Sequence, residues 1–424
     1  MARNLLKPLN HLDFLRRKET IAAEIGLHNI LTPAEVFDGN YERLARHQSR
    51  NLSTQDMVRV LASQTGRSDA TIMKDLREYA TVCHMEFHPT DLCNLRCRDC
   101  TYGHDVPSLA PLPVEFEFEE IGKLSQLKAK SMVVIGGGEP TLYRCGQHRF
   151  QEMVDQIVAT NPAIRLALVT NGTHRPPGNW PNRFSWIRVS LDAGTPRTYE
   201  GFRGAQMFDQ VIKHFLEYLE FNVPYVGISF LYAKSNVHEY AEAARFIYEI
   251  VHRTNPAAMA KVNIQYRPLR RDPYQYSQPF TEAVTPHQIS RAVDDVCKLA
   301  DGSPEMKRFL REQTNVTAIL GGNTHPAFDF GRCYYSETFH IVRANGDVRP
   351  CFIRVNEPDF VLGNIKRDLL ETIALNTLFV AARRKPHCDA HGCRQCHVNY
   401  TFEMGLNGRI APSASPDVRD DPMY

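Results

Sequence analysis

Short apolar runs alternating with amphipathic helical stretches from about residue 81 predict an α/β chain whose parallel strands form an open, partial (βα)6 barrel. Residues 1–80 carry helical patterns and no strand pattern, and a β-hairpin with clustered cysteines follows residue 330. The 424-residue chain is thus expected to divide into an N-terminal helical segment (1–80), the barrel (81–280), a helical linker (281–330), a small cysteine-bearing hairpin and helix domain (331–410) and a tail (411–424).

In the first segment, Ser53 caps a helix carrying Met57, Val60 and Leu61 on one face; Gly66 ends it, and Ser68 caps a second helix with Ile72, Leu76 and Tyr79. This helix–turn–helix shape is read as a pair packed against the barrel, because residues 1–80 hold only twelve Lys and Arg against ten Asp and Glu. The barrel strands begin where Cys83, Met85 and Phe87 alternate with His84, Glu86 and His88, and continue at 132–135, 164–170, 186–191, 226–232 and 262–267. Helical stretches separate them at 115–128, 147–160, 198–221 and 237–253. A helix at about 285–300 and the stretch GGNTHPAFDFG at 321–331 make the linker. Asn345-Gly346, between the β-prone runs 339–343 and 348–351, marks a hairpin. The Pro-, Ser- and Asp-rich tail from Ala411 lacks the large apolar residues a packed element needs.

Composition narrows the function. Net charge is +2, no apolar run reaches the roughly twenty residues of a membrane span, and the N-terminus lacks a secretory pattern. A cytoplasmic protein with no membrane and no nucleic-acid partner is the expectation. In that compartment eleven cysteines point to metal or redox chemistry instead of disulfides. Three fall at Cys93, Cys97 and Cys100 and five at Cys333, Cys351, Cys388, Cys393 and Cys396, leaving Cys83, Cys145 and Cys297 isolated.

Cys93, Cys97 and Cys100 sit on the loop after the first strand, where three thiolates can grip three irons of a cubane and leave the fourth iron open for a chelating ligand. The competing reading is zinc completed by His104. The C-x3-C-x2-C spacing resembles the signature of the radical S-adenosylmethionine (SAM) superfamily, and further segments extend the resemblance over about 81–280. Gly136-Gly137-Gly138-Glu139-Pro140-Thr141 after the second strand is similar to the family's Gly-Gly-Glu-Pro segment. Asn171-Gly172-Thr173 after the third, Ser190-Leu191-Asp192 after the fourth and Gly201-Phe202-Arg203-Gly204 beyond it look like the corresponding segments. The resemblance implies a [4Fe–4S] cluster on Cys93, Cys97 and Cys100 and SAM held by Gly137, Gly138, Glu139 and Pro140 at its methionine amine, by Ser190 and Arg203 at its carboxylate, and by Asn171 near adenosine. It also implies reductive cleavage of SAM to a 5′-deoxyadenosyl radical. One departure is Asp99, where family members often carry an aromatic residue; Tyr102 follows two residues after the third cysteine.

Cys351 follows Cys333 by eighteen positions with Gly346 between, and Cys393-Arg394-Gln395-Cys396 lies downstream. This resembles the SPASM/Twitch auxiliary-cluster region and implies one further [4Fe–4S] cluster on Cys333, Cys351, Cys393 and Cys396, with Cys388 spare. The competing reading is structural zinc on Cys388, Cys393, Cys396 and one of His387, His391 or His397. Full thiolate ligation suits an electron acceptor, so the expected reaction is oxidation of a small polar biosynthetic intermediate, fed by a donor such as flavodoxin or ferredoxin. The alternative is cross-linking or epimerisation of a ribosomally made peptide. Epimerisation requires a hydrogen-donating thiol, for which Cys145, Cys297 and Cys388 are available. A redox-sensing DNA-binding protein leaves the SAM segments without purpose. Arg267, Arg270 and Arg271 after the sixth strand are candidates for holding an anionic substrate group.

Overall fold

Six strands lie side by side in chain order and all run parallel: β1 (His84–Phe87), β2 (Ser131–Val134), β5 (Arg165–Thr170), β6 (Phe184–Ser190), β7 (Tyr225–Tyr232) and β8 (Val262–Pro268). This is the predicted open (βα)6 order. The computed structural model describes residues 53–82, 84–100, 102, 114–269, 282–316, 333, 335–352 and 355–383. Cys83, His104, Arg270, Arg271, His387, Cys388, His391, Cys393, Cys396, His397, residues 1–52 and the tail lie outside the described residues.

One sheet face is apolar and carries the helices. Met85, Phe87, Met132, Val134, Leu166, Leu168, Ile187, Val189, Val226, Ile228, Val262 and Ile264 alternate onto it and are buried in the main core. Helices α3 (Phe150–Thr160), α4 (Pro196–Arg203), α5 (Phe208–Leu219) and α6 (Tyr240–Thr254) connect the strands, and each fully buried side chain of this size stabilises by about 1.5–3 kcal/mol. The stretch read as a helix over 115–128 is a 3-10 helix, Phe118–Leu127. A two-residue hairpin, β3 (Arg144–Cys145) with β4 (His148–Arg149), precedes α3. The single helix predicted for 198–221 is split: Gly204 ends α4 in the left-handed region at φ 72°, and a β-carbon there would meet Arg96 O at 2.9 Å.

After β8, α7 (Pro286–Asp301) and α8 (Pro304–Glu312) pack on α6, and Ile264 N donates to Gln313 O at 2.8 Å. The short helix α9 (Tyr335–Thr338) then leads into the predicted hairpin, β9 (Phe339–Val342) and β10 (Asp347–Arg349), whose turn uses Gly346 at φ 88°. Strand β9 pairs in parallel with β1, His84 opposite Phe339 and Phe87 opposite Val342, so the hairpin and β11 (Gly363–Asn364) extend the sheet to nine strands.

Helices α1 (Thr54–Thr65) and α2 (Asp69–Tyr79) pack on α10 (Leu370–Arg383) rather than on the barrel helices. Met57, Val58, Leu61, Ile72, Leu76 and Tyr79 form a separate core with Ala374 and Leu375. Arg77 pairs with Glu371, and Tyr79 Oη donates to Glu337 Oε1 at 2.6 Å. The helix pair is thus an appendage of the cysteine-bearing end of the chain. Among the described residues no helix is long and apolar enough to cross a membrane.

Candidate active site

Beyond β1 the chain crosses the glycine turn that follows β2, and the two backbones touch. Gly138 N donates to Thr90 O and Glu139 N to Leu92 O, both at 2.7 Å. A β-carbon on Gly138 would fall 2.0 Å from Leu92 O, and one on Gly137 would fall 2.9 Å from Thr90 O. The glycines therefore seat the cysteine loop as well as leaving backbone open to a ligand. Asn171, expected near adenosine, is tied to that loop: its Nδ2 donates to Asn94 Oδ1 at 3.0 Å and lies 3.9 Å from Cys93 Sγ, while its Oδ1 accepts from Thr173 N and Oγ1.

Cys93, Cys97 and Cys100 are all partly exposed free thiols on this one loop. Cys93 Sγ accepts from Leu95 N at 3.5 Å, and Arg203 Nη1 donates to Cys97 Sγ at 3.7 Å. Burial pushes the Cys93 thiol up to about 11, so a bound iron would have to displace its proton. Soft sulfur donors with hydrogen-bond donors aimed at them suit an iron–sulfur cluster.

Glu139 is buried and caps the turn it begins: Oε1 accepts from Thr141 N, Thr141 Oγ1 and Thr170 Oγ1, and Oε2 accepts only from Asn171 N at 2.6 Å. Burial raises its pKa against the pull of those donors. Oε2 retains a lone pair, which fits an ammonium. Pro140 opens the same buried turn. Arg203, at the end of α4, forms a buried ion pair with Asp192, which sits just beyond β6 at φ 59°. Burial works against the Arg203 charge, and Asp192 reverses that and raises its pKa. Its Nε has no hydrogen-bond partner, leaving one donor for a carboxylate. These groups fit SAM.

Behind the loop, Tyr102 Oη meets His88 Nε2 at 3.3 Å, with Glu86 Oε2 3.6 Å from the same nitrogen. The Tyr102 ring stands edge-on to His88 and covers Gly136, where a β-carbon would fall 2.8 Å from it. His88 is fully buried, and burial lowers its pKa.

These side chains introduce the second face of the sheet, which mixes polar and apolar residues. By strand register it carries His84, Glu86 and His88 from the β1 end, Ser131 and Val133 on β2, Arg165, Ala167 and Val169 on β5, Trp186, Arg188 and Ser190 on β6, Tyr225, Gly227, Ser229 and Leu231 on β7, and Asn263, Gln265 and Arg267 on β8. A parallel sheet wrapped by helices on both sides would be apolar on both, so this face is the inside of the partial barrel. Of these residues the sequence reading singled out only Ser190 and Arg267; the period-two polar alternation at 84/86/88, 186/188/190 and 263/265/267 was the available signal.

Cys333, just before α9, which leads into β9, and Cys351, two residues beyond β10, are both buried, and Ser336 Oγ donates to Cys333 O at 2.7 Å. Because β9 and β1 are parallel, that is the amino end of the sheet, whereas Cys93, Cys97 and Cys100 follow its carboxyl end. At about 3.3 Å per residue, His84 to Thr90 spans roughly 20 Å.

Comparisons with known proteins agree. The radical SAM superfamily model matches residues 87–247, and the SPASM iron–sulfur cluster-binding domain matches 333–397. A GTP 3′,8-cyclase of Mannheimia succiniciproducens is 31% identical over 147 residues, 32% of this chain and 40% of that protein. Among solved structures, anSMEcpe with bound AdoMet is similar at a TM-score of 0.51 and 18% identity, covering 75% of this chain and 88% of that one. SuiB of Streptococcus suis is similar at a TM-score of 0.51 and 13% identity, covering 81% and 78%. With cysteine loop, glycine turn and hairpin placed as described, the chain belongs to the radical SAM superfamily and carries a SPASM iron–sulfur cluster-binding domain.

Proposed function

We propose that the chain is a radical SAM oxidase of a polar small molecule held against the inner face of the barrel. The observation that carries this reading is that inner face, where register places Glu86, His88, Arg188, Ser190, Gln265 and Arg267 on the same side of the sheet. Cys93, Cys97 and Cys100 would hold the [4Fe–4S] cluster, and Cys333, Cys351, Cys393 and Cys396 an auxiliary one. When bound, the cluster and SAM supply a 5′-deoxyadenosyl radical able to remove hydrogen from an unactivated carbon, and the auxiliary cluster supplies an electron acceptor.

This chain's own residues bind, orient and exclude water. Glu139 Oε2 and the glycine turn would take the methionine amine, and Arg203 Nε with Ser190 its carboxylate. Arg203 Nη1 donates to Cys97 Sγ, which stabilises negative charge on that sulfur. His88, kept neutral by burial, can accept a hydrogen bond at Nδ1, which has no partner, while Glu86 and Tyr102 hold Nε2. The apolar face and its helices close the chamber from behind.

Peptide modification is the second reading. SuiB has been solved bound to the precursor peptide SuiA, and that structure is similar over 89% of this chain and 84% of SuiB at a TM-score of 0.50. Anaerobic reconstitution with iron counting and a 5′-deoxyadenosine assay tests the class: about eight irons per chain and reductant-dependent deoxyadenosine are expected. Zinc in place of iron, or no deoxyadenosine, would sink it. Turnover of a short peptide encoded beside the gene, with none of neighbouring-pathway metabolites, would overturn the small-molecule reading in favour of the second.

A further inference from the structure

We propose that the Asp192–Arg203 ion pair sets the reduction potential of the cluster on Cys93, Cys97 and Cys100, acting on it through the sulfur of Cys97. This rests on the reading that those three cysteines hold the first cluster.

The carboxylate is fixed before the arginine reaches it. Asp192 leaves β6 in the left-handed region, at φ 59°, and is fully buried. Its Oδ1 accepts from Leu231 N at 2.6 Å, and its main-chain oxygen accepts from Asn236 Nδ2 at 2.8 Å. Asn236, itself fully buried, also donates to Leu231 O at 2.8 Å and accepts from Ala233 N at 2.6 Å. One carboxylate oxygen is thus anchored to the end of β7, and the other, Oδ2, meets Arg203 Nη2.

Arg203 comes from the last turn of α4, where a β-carbon on Gly204 would meet Arg96 O at 2.9 Å, so that helix end lies against the residue before Cys97. One arm of the guanidinium, Nη2, goes to Asp192, and the other, Nη1, donates to Cys97 Sγ at 3.7 Å. The guanidinium is planar and rigid, so a carboxylate that fixes one arm also fixes where the other is directed. The two side chains are 12% and 0% exposed, and solvent therefore screens their charges poorly.

Two opposing effects meet at that sulfur. A hydrogen bond and a positive charge beside a cluster thiolate favour the form carrying the extra electron, which raises the potential. The Asp192 carboxylate offsets the charge while keeping the donor in place. Cys97 consequently receives a directed donor without a net cation, and the potential stays below the value an unpaired arginine would give. With the carboxylate removed, the guanidinium keeps the Cys97 sulfur as an anionic partner, so its uncompensated charge stays beside the cluster.

The test reconstitutes the full chain anaerobically and titrates it with dithionite in the absence of SAM, following the reduced clusters by electron paramagnetic resonance. One electron takes a cluster from [4Fe–4S]²⁺ to [4Fe–4S]⁺, with no atom gained or lost. A chain combining Cys93→Ala, Cys97→Ala and Cys100→Ala assigns the auxiliary signal, which serves as the internal reference. Arg203→Gln should lower the first cluster's potential and Asp192→Asn should raise it, each by at least about threefold in the reduced-to-oxidised ratio at a fixed potential, with the auxiliary signal unmoved. Arg245→Gln, which removes a half-exposed charge from α6, should move neither. A purely structural role would not shift the two variants in opposite directions. Where Asp192→Asn fails to load iron, Arg203→Lys decides: it keeps charge near the sulfur and should lie above Arg203→Gln. Unchanged potentials, shifts of one sign, or equal Lys and Gln variants overturn the inference. Deoxyadenosine formation by the wild-type chain is measured in parallel: iron and that activity present with the potentials unmoved sink this inference alone, and a wild-type chain that loads no first cluster sinks the reading beneath it.

Discussion

Replacing Gly138 by alanine would drive a methyl group into backbone, its carbon 2.0 Å from Leu92 O, 2.4 Å from Leu92 C and 2.6 Å from Asp91 C. No rotamer relieves this, so the cysteine loop has to move by more than an ångström. Doing so breaks the hydrogen bonds from Gly138 N to Thr90 O and from Glu139 N to Leu92 O. Each is worth about 0.5–1.5 kcal/mol net, and the overpacking about 1–3 kcal/mol. A total near 4 kcal/mol lowers the unfolding midpoint by roughly 10 °C for a domain of this size. The displaced loop should also lose iron at Cys93, Cys97 and Cys100. The control is Gly201→Ala in α4, where a β-carbon meets nothing within 4 Å and helix propensity should add up to about 1 kcal/mol. Anaerobic calorimetry and iron counting on both variants decide it. A Gly138→Ala protein that keeps its iron and melts within a degree of wild type would show that the loop does not rest on the glycine turn.

Asp192→Asn should cost about 3–5 kcal/mol by leaving Arg203 buried without its carboxylate, and asparagine tolerates the φ of 59°, so denaturant unfolding isolates the charge; an unchanged midpoint would contradict the buried pair. Tyr79→Phe removes the donor to Glu337 and should loosen the helix pair by about 1.5–3 kcal/mol, read as faster amide exchange across 54–79 and 370–377 with the barrel strands unaffected. Burial depresses His84 and His340 to about 3 from an ordinary 6.5, so both are neutral when folded but take up protons when unfolded below that value. Stability is therefore full above pH 6.5 and falls as pH drops toward 3, by about 2 kcal/mol for each histidine between pH 7 and 5; His84→Asn should flatten the slope, and a pH-independent wild type would refute it.

Legibility in the sequence followed the reach of the interactions. The six strands and the cysteine loop were readable because each depends on local periodicity or on a spacing of a few residues. The hairpin at Asn345-Gly346 was readable for the same reason. The 3-10 character of 118–127 was not, since apolar spacing at three and four residues suits either helix. The break at Gly204 follows from its close approach to Arg96 O, a contact between residues more than a hundred positions apart. The docking of α1 and α2 on α10 depends on Leu375, Glu337 and Glu371, the last two 258 and 294 positions from their partners Tyr79 and Arg77, and no pattern within residues 53–79 encodes it. Asn171 and Glu139 were found, but their bonds to Asn94 and to Thr170 were not, because those cross from one βα loop to another.

The polar inner face was a different kind of omission, since its signal was present and local. Alternation at 186/188/190 reads as an ordinary half-exposed strand until the order of the sheet shows that β6 is interior, with β5 and β7 on either side, while 263/265/267 lies on β8, the last strand, whose outer edge meets Gln313 and Asn315. Only then does a polar side chain at those positions require an enclosure. The same ordering gives the two cysteine groups their relation. Cys93, Cys97 and Cys100 follow the carboxyl end of β1, while β9 and β10 start and finish beside Cys333 and Cys351 at its amino end. His84, Glu86 and His88 run along β1 between those two ends, and that relation follows from strand direction, not from the cysteine spacing.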